Sequence, residues 1–304
     1  MSNLSNKNIS ILAVTIAFVT TACSTDAEQE AREEAEEIMH MHDISFHTSG
    51  NGDPYIGTHH GLLHVNIDNQ TMVWEGSPEE RHDFMGLTIL EDGVFISSGH
   101  PSPASDLGNP LGAMRSEDAG ESWEVDVLYE EVDFHHLVES PADASILYGF
   151  DAYNGHLYSS RDAGQEWTIV NEEDFNDQEI LEIFADAEDS EVLAAASPYG
   201  IYRSEDGGGS WEHIQQETTA LSSTPYDDGH LVYGVGEQEG WFYTEDLGET
   251  LEAYDMALPD EPIIAFDRHG DTIAAGGTED SLYLSFDGGA SWEIWIDKGE
   301  PIAP

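Results

Sequence analysis

Ser116-Glu117-Asp118-Ala119-Gly120-Glu121-Ser122-Trp123 is the stretch from which the rest of the chain can be read. It returns as Ser160-Arg161-Asp162-Ala163-Gly164-Gln165-Glu166-Trp167, as Ser204-Glu205-Asp206-Gly207-Gly208-Gly209-Ser210-Trp211 and as Ser285-Phe286-Asp287-Gly288-Gly289-Ala290-Ser291-Trp292. A weaker copy runs from Thr244 through Asp246 and Gly248 to Leu251, and an eroded first copy, with Asn66-Ile67-Asp68, ends at Trp74. The aspartates at 118, 162, 206, 246 and 287 stand 44, 44, 40 and 41 residues apart. Between copies the chain alternates apolar and polar residues in short runs punctuated by Gly, Asp and Asn, the pattern of strands and tight turns. A period of about 40–45 residues with four strands in each is the signature of propeller blades. The predicted fold is therefore all-β: a six-bladed β-propeller of four-stranded antiparallel blades over 42–75, 83–128, 133–171, 179–215, 219–255 and 262–297. Each period holds a whole blade, so ring closure does not require strand exchange between the termini, although residues 36–41 could add to an edge.

The motif's chemistry suits a turn. An aspartate at its head can accept backbone N–H groups, glycine supplies positive φ, and the Ser or Thr hydroxyl can cap the same loop. The tryptophan returns into the blade and buries a large apolar surface. Serine and aspartate side by side suggest catalysis, but recurrence in five blades assigns Asp118, Asp162, Asp206, Asp246 and Asp287 to structure.

The ends of the chain read differently. Residues 11–19, ILAVTIAFV, are an apolar run too short to span a bilayer and suited to a signal sequence. Thr20-Thr21-Ala22 then precede Cys23, the single cysteine of the chain. Residues 24–39 are charged and lack aromatics. The expected organisation is a signal peptide over 1–22, Cys23 followed by an acidic tether to 39, the propeller over 40–298 and a tail over 299–304. Sixty-three acidic against eight basic residues give a net charge of −55 over 304 residues. That excludes a phosphate-binding basic face, and with it nucleic acid as a partner. It reads as adaptation to a salty, alkaline exterior. A monomer is expected.

Small residues ahead of a lone cysteine resemble a bacterial lipobox, which implies lipidation at Cys23, attachment to the membrane through the lipid alone, and a place on the outer face of the cytoplasmic membrane; ordinary cleavage would give a secreted protein. The repeated turn resembles the Asp-box (BNR) of sialidases, sortilin-type receptors and photosystem-assembly propellers. More closely, His40-Met41-His42, Tyr55 to Leu62, Asp83-Phe84-Met85-Gly86, Ser97 to Pro101, Asn109-Pro110-Leu111-Gly112 and Asp133-Phe134-His135 are similar to a Gram-positive lipoprotein group named as glycosyl hydrolases. The resemblance implies a carbohydrate-interacting surface protein. Sialidases grip a carboxylate with three arginines. Of six arginines here, Arg32 falls in the tether and Arg115, Arg161 and Arg203 fall in or beside the boxes. Only Arg81 and Arg268 remain, which argues against a sialidase.

With strands lettered A to D in each blade, the boxes occupy C–D turns and define one face. The D–A and B–C connections belong to the other, where propeller sites lie. Eight of the fourteen histidines fall on those segments of blades one to three, and none on those of blades four to six. Three readings stay open. His42, His59, His100 and His135 could hold a divalent metal such as Zn, Ni, Cu or Mn, although no motif demands a cofactor. Asp83, Asp133 and Asp151, with His100 or His135 as proton shuttle, could form a glycoside hydrolase site. Or His42, His59, His60, His82 and Tyr153 could present a non-catalytic face to a carbohydrate or an extracellular protein. The loop from Ser98 to Leu111, stiffened by Pro101, Pro103 and Pro110, is the expected wall of that face.

Overall fold

The computed structural model describes residues 32–171 and 179–302; the signal segment and Cys23 lie outside them. Six antiparallel sheets follow one another along the chain, each built from consecutive strands, and together they form a six-bladed β-propeller. The inner strands are Met41–Phe46, Asp83–Ile89, Phe134–Glu139, Glu182–Ala185, Thr218–Tyr226 and Ile263–His269. They contact one another in ring order, and the last returns to the first. Second strands such as Pro54–Thr58 and Leu193–Ser197 are buried throughout. Both faces of such a strand meet a neighbouring blade, so apolar residues occupy successive positions. Outer strands such as Glu124–Val127 are polar and solvent-facing.

The core is divided accordingly into six wedges, one per blade junction. Tyr55, Leu62, Phe84 and Trp123 fill the wedge between blades one and two. Ile38, Ile44, Leu284 and Trp295 fill the one that closes the ring between blades six and one.

The repeated turn is built the same way in five blades. In blade two the Ser116 hydroxyl donates to Asp118 Oδ1 at 2.8 Å and accepts from Gly120 N at 2.9 Å, while Ser122 donates N–H and O–H to the Asp118 carboxylate at 2.9 and 2.7 Å. Two residues with positive φ follow the aspartate, Ala119 and Gly120 here, Gly207 and Gly208 in blade four. The second also packs closely against a neighbour. A Cβ on Gly208 would lie 2.2 Å from Leu157 of the preceding blade, and one on Gly120 would lie 2.2 Å from Leu62. Each turn thus clamps the blade before it.

Two segments differ from the sequence expectation. The stretch read as a tether is packed from Arg32 onward. Glu34 bridges Val73, Ala35 N–H donates to Met72 O, and Ile38 N–H donates to Gly299 O. Two apolar residues of that acidic run, Ala35 and Ile38, are buried, while Met39 stays exposed. Arg32 pairs with Glu75 and Glu121, and Arg81 with Glu33, each within 2.7 Å. The expected tail also contributes: Glu300–Pro301 is a fifth strand on blade six. The two ends of the folded chain therefore meet at the junction of the first and last blades.

Candidate functional site

Alternation along each inner strand sends some side chains into the blade junctions and others towards the axis. The axial side chains enclose a cavity of about 440 Å³, lined by residues of all six blades. Three carboxyls on inner strands latch neighbouring blades. Asp43 accepts from Leu87 N at 2.9 Å and Ile44 N at 2.8 Å. Asp267 accepts from Phe46 N and the Thr224 hydroxyl. Glu182 bonds Ser223. Inner strands of adjacent blades make no ladder with each other, so side chains satisfy their inward N–H groups. Burial pushes Asp43 up to about 7, and pushes Asp267 and Glu182 up as well, with Asp43 adding to the effect on Glu182. None of these three entered the sequence reading, which searched loops. Their signal was an acid inside an otherwise apolar inner strand, as in Leu181-Glu182-Ile183-Phe184.

Six of the histidines and aspartates singled out from the sequence come together in two groups. In the first, Asp83 lies 3.3 Å from His42 Nε2 through Oδ1 and 2.8 Å from His59 Nδ1 through Oδ2. One donor atom from each of His42, His59 and Asp83 fits within a 4.8 Å cluster. His42 Nε2 and Asp83 Oδ1 are both buried and face each other as an imidazole–carboxylate pair. Burial opposes the charge on Asp83, but the imidazoles of His42, His59 and His100 hold its carboxyl below the ordinary range. His42 also lines the axial cavity, whereas the His59 side chain is 52% exposed. In the second group, Asp133 Oδ2 lies 3.5 Å from His100 Nε2 and 3.0 Å from His135 Nε2. Asp83 and His100 are register partners on neighbouring strands, which sets the groups side by side.

The other candidates do different work. Asp151 is fully buried and accepts from Asp133 N, Tyr153 N and Asn154 Nδ2, so its oxygens are committed to a turn. Thr58 and Ser197 accept from the residue two further on at the matching places in blades one and four. His82 is buried, is pushed down to about 4 by desolvation, and accepts from Ser102 N at 3.1 Å. It anchors the proline-rich loop instead of meeting a ligand. His60 and Tyr153 are exposed at the rim, Tyr153 at 77%. Arg81 is tied to Glu33, and Arg268 stacks over Tyr226.

No family model and no curated protein sequence matches the chain. Among solved structures it is similar to a GH74 enzyme of Niastella koreensis, with a TM-score of 0.60 and 15% identity, over 87% of this chain and 46% of that one. It is similar also to YCF48 bound to D1 peptide (TM-score 0.52, 15% identity, 87% and 83% of the two chains). A chain of the nidogen/laminin complex gives a TM-score of 0.55 at 10% identity, over 82% and 95%. The chain spans about half the length of the GH74 enzyme. Likeness at these identities shows the β-propeller fold alone, a fold that hosts unrelated functions.

Proposed function

We propose that the protein is a metal-binding propeller that works outside the cytoplasmic membrane, with its rim site formed by His42, His59 and Asp83. The observation that carries this reading is the compact three-donor set, in which one ligand atom from each of His42, His59 and Asp83 lies within 4.8 Å of the others. A divalent cation seated among these donors could be ligated by all three at once. Two imidazoles and a carboxylate suit Zn²⁺, Mn²⁺ and their first-row neighbours. Three protein donors with one side open to solvent leave coordination positions for a second ligand. The Asp-box lipoprotein character, with lipid on Cys23, belongs to the same reading, as does a surface that recruits a carbohydrate or protein ligand to the metal. Glycoside hydrolysis by a carboxylic acid pair has less support. A general acid needs a raised carboxyl, Asp83 is held low, and the raised carboxyls Asp43, Glu182 and Asp267 are latches between blades. The test is calorimetric titration of metal-stripped protein with Zn²⁺ and with Mn²⁺, in high salt. Asp83→Asn and His42→Ala should each weaken binding of the preferred ion at least tenfold while the fold survives. Unchanged affinity in both would refute the site.

A further inference from the structure

We infer that the rim of blades three to five is a docking surface for a basic, extended polypeptide segment, with Tyr153 and Tyr199 as its aromatic contacts; this deepens the ligand-recruiting part of the proposed function and rests on it, but needs no metal. The two tyrosines hold the same seat in adjacent blades. Tyr153 N donates to Asp151 Oδ1 at 3.1 Å in the B–C turn of blade three, and Tyr199 N donates to Ser197 Oγ at 3.1 Å in that of blade four. The backbone beneath each ring is fixed. Asn154 Nδ2 donates to Asp151 Oδ2 and to Glu131 O, the Thr219 hydroxyl donates to Ser197 O, and His213 Nε2 donates to Tyr199 O. The tyrosines themselves are 77% and 66% exposed. A ring so open adds little to folding, and the matching turns of blades five and six, residues 237–239 and 278–281, are wholly polar. Leu258, 58% exposed, continues the arc, lying against Gly240 at the corresponding turn of blade five.

The charge around these residues selects the ligand. Glu130, Glu131, Glu217, Glu237 and Glu239 are exposed on the same connections. Among the described residues, the D–A and B–C connections from 128 to 281 carry no Lys or Arg. An anionic ligand is repelled there, a neutral one gains nothing from the acids, and a second copy of this chain would bring like charge against like. A Lys or Arg side chain can lie over an exposed phenol ring and pair with a neighbouring carboxylate at the same time. Contacts spread over three blades call for an extended chain instead of a single amine. Tips whose backbone is already fixed lose little freedom when such a chain binds.

The experiment is fluorescence anisotropy of a labelled peptide of alternating Lys and Gly, titrated with full-length protein in chelator. It is run in about 1 M salt, where a screening length of about 3 Å removes bulk attraction to the acidic surface and leaves contacts. Saturable binding is expected for this peptide and none for its Glu–Gly counterpart. Tyr153→Leu and Tyr199→Leu keep apolar bulk but remove the ring; each should weaken binding about 2–5-fold, and the pair about 5–25-fold. Tyr153→Phe with Tyr199→Phe should retain it. Circular dichroism checks the fold of each variant. Absence of saturable binding, or wild-type affinity in the double Leu variant, would overturn the docking surface. Binding of a labelled neutral oligosaccharide in place of the peptide would overturn it as well. Zn²⁺ titration of the same preparation separates the two readings. Zinc bound without peptide leaves the metal centre standing and overturns this surface, and peptide bound without zinc does the reverse.

Discussion

At the scale of single residues, one glycine and one histidine show how the ring is held. Gly208 has φ of +94°, and a Cβ there would collide with Leu157. Gly208→Ala should cost about 1–3 kcal/mol, the usual range for overpacking, in urea unfolding. A neutral result would mean that the turn does not clamp its neighbour. His136 lies on the inner strand Phe134–Glu139, donates from Nε2 to Ile180 O at 2.9 Å, and is pushed down to about 4 by desolvation. A histidine whose pKa is lower in the folded state favours folding above its unfolded value of about 6.5, and that contribution is lost as pH falls towards 4. Glu139, pushed up to about 7 by burial, works in the opposite sense and favours folding at low pH. The wild-type curve alone therefore mixes the two. The difference between wild type and His136→Gln isolates the histidine: the wild type should lose its advantage between pH 6.5 and 4. A pH-independent difference would show that His136 is not buried neutral.

At the scale of elements, the segment from Arg32 to His40 closes the ring. Its charged sequence reads as solvated chain, because a pattern search sees six polar residues and little periodicity. Its packing is legible only afterwards, when Ile38 turns out to fill the wedge between blades six and one and its N–H finds Gly299. Such partners lie about 260 residues away along the chain, and no local rule pairs them. Ile38→Ala should cost about 2–5 kcal/mol, as for other buried aliphatics, with the loss seen in thermal melts. A value near zero would make the segment an ornament. The Ser98–Leu111 loop is a second case. Its prolines announce stiffness in the sequence, but its anchor, His82 beneath Ser102, looks in sequence like part of a ligand face.

At the scale of the molecule, the repeat gives up the fold because a 40–45 residue period leaves few architectures open, and each blade is a local unit. The site was legible in part for the same reason. Once blades are phased, Asp83, Asp133, His42, His59, His100 and His135 share a face, and they do converge. Asp151 misled because a turn-capping aspartate and a catalytic one look alike until Thr58 and Ser197 are seen doing its work. The whole-molecule charge of −55 over 304 residues makes a further demand. Screening length shrinks from about 10 Å at 0.1 M salt to about 3 Å at 1 M, so the melting temperature should rise steeply over that interval; a flat response would remove the case for a salt-adapted surface. The rim itself is tested most directly by anomalous diffraction at the zinc edge from crystals equilibrated with Zn²⁺. A peak bonded to His42 Nε2, His59 Nδ1 and Asp83 is expected. Crystals with full zinc exposure and no peak at those atoms would contradict the metal reading.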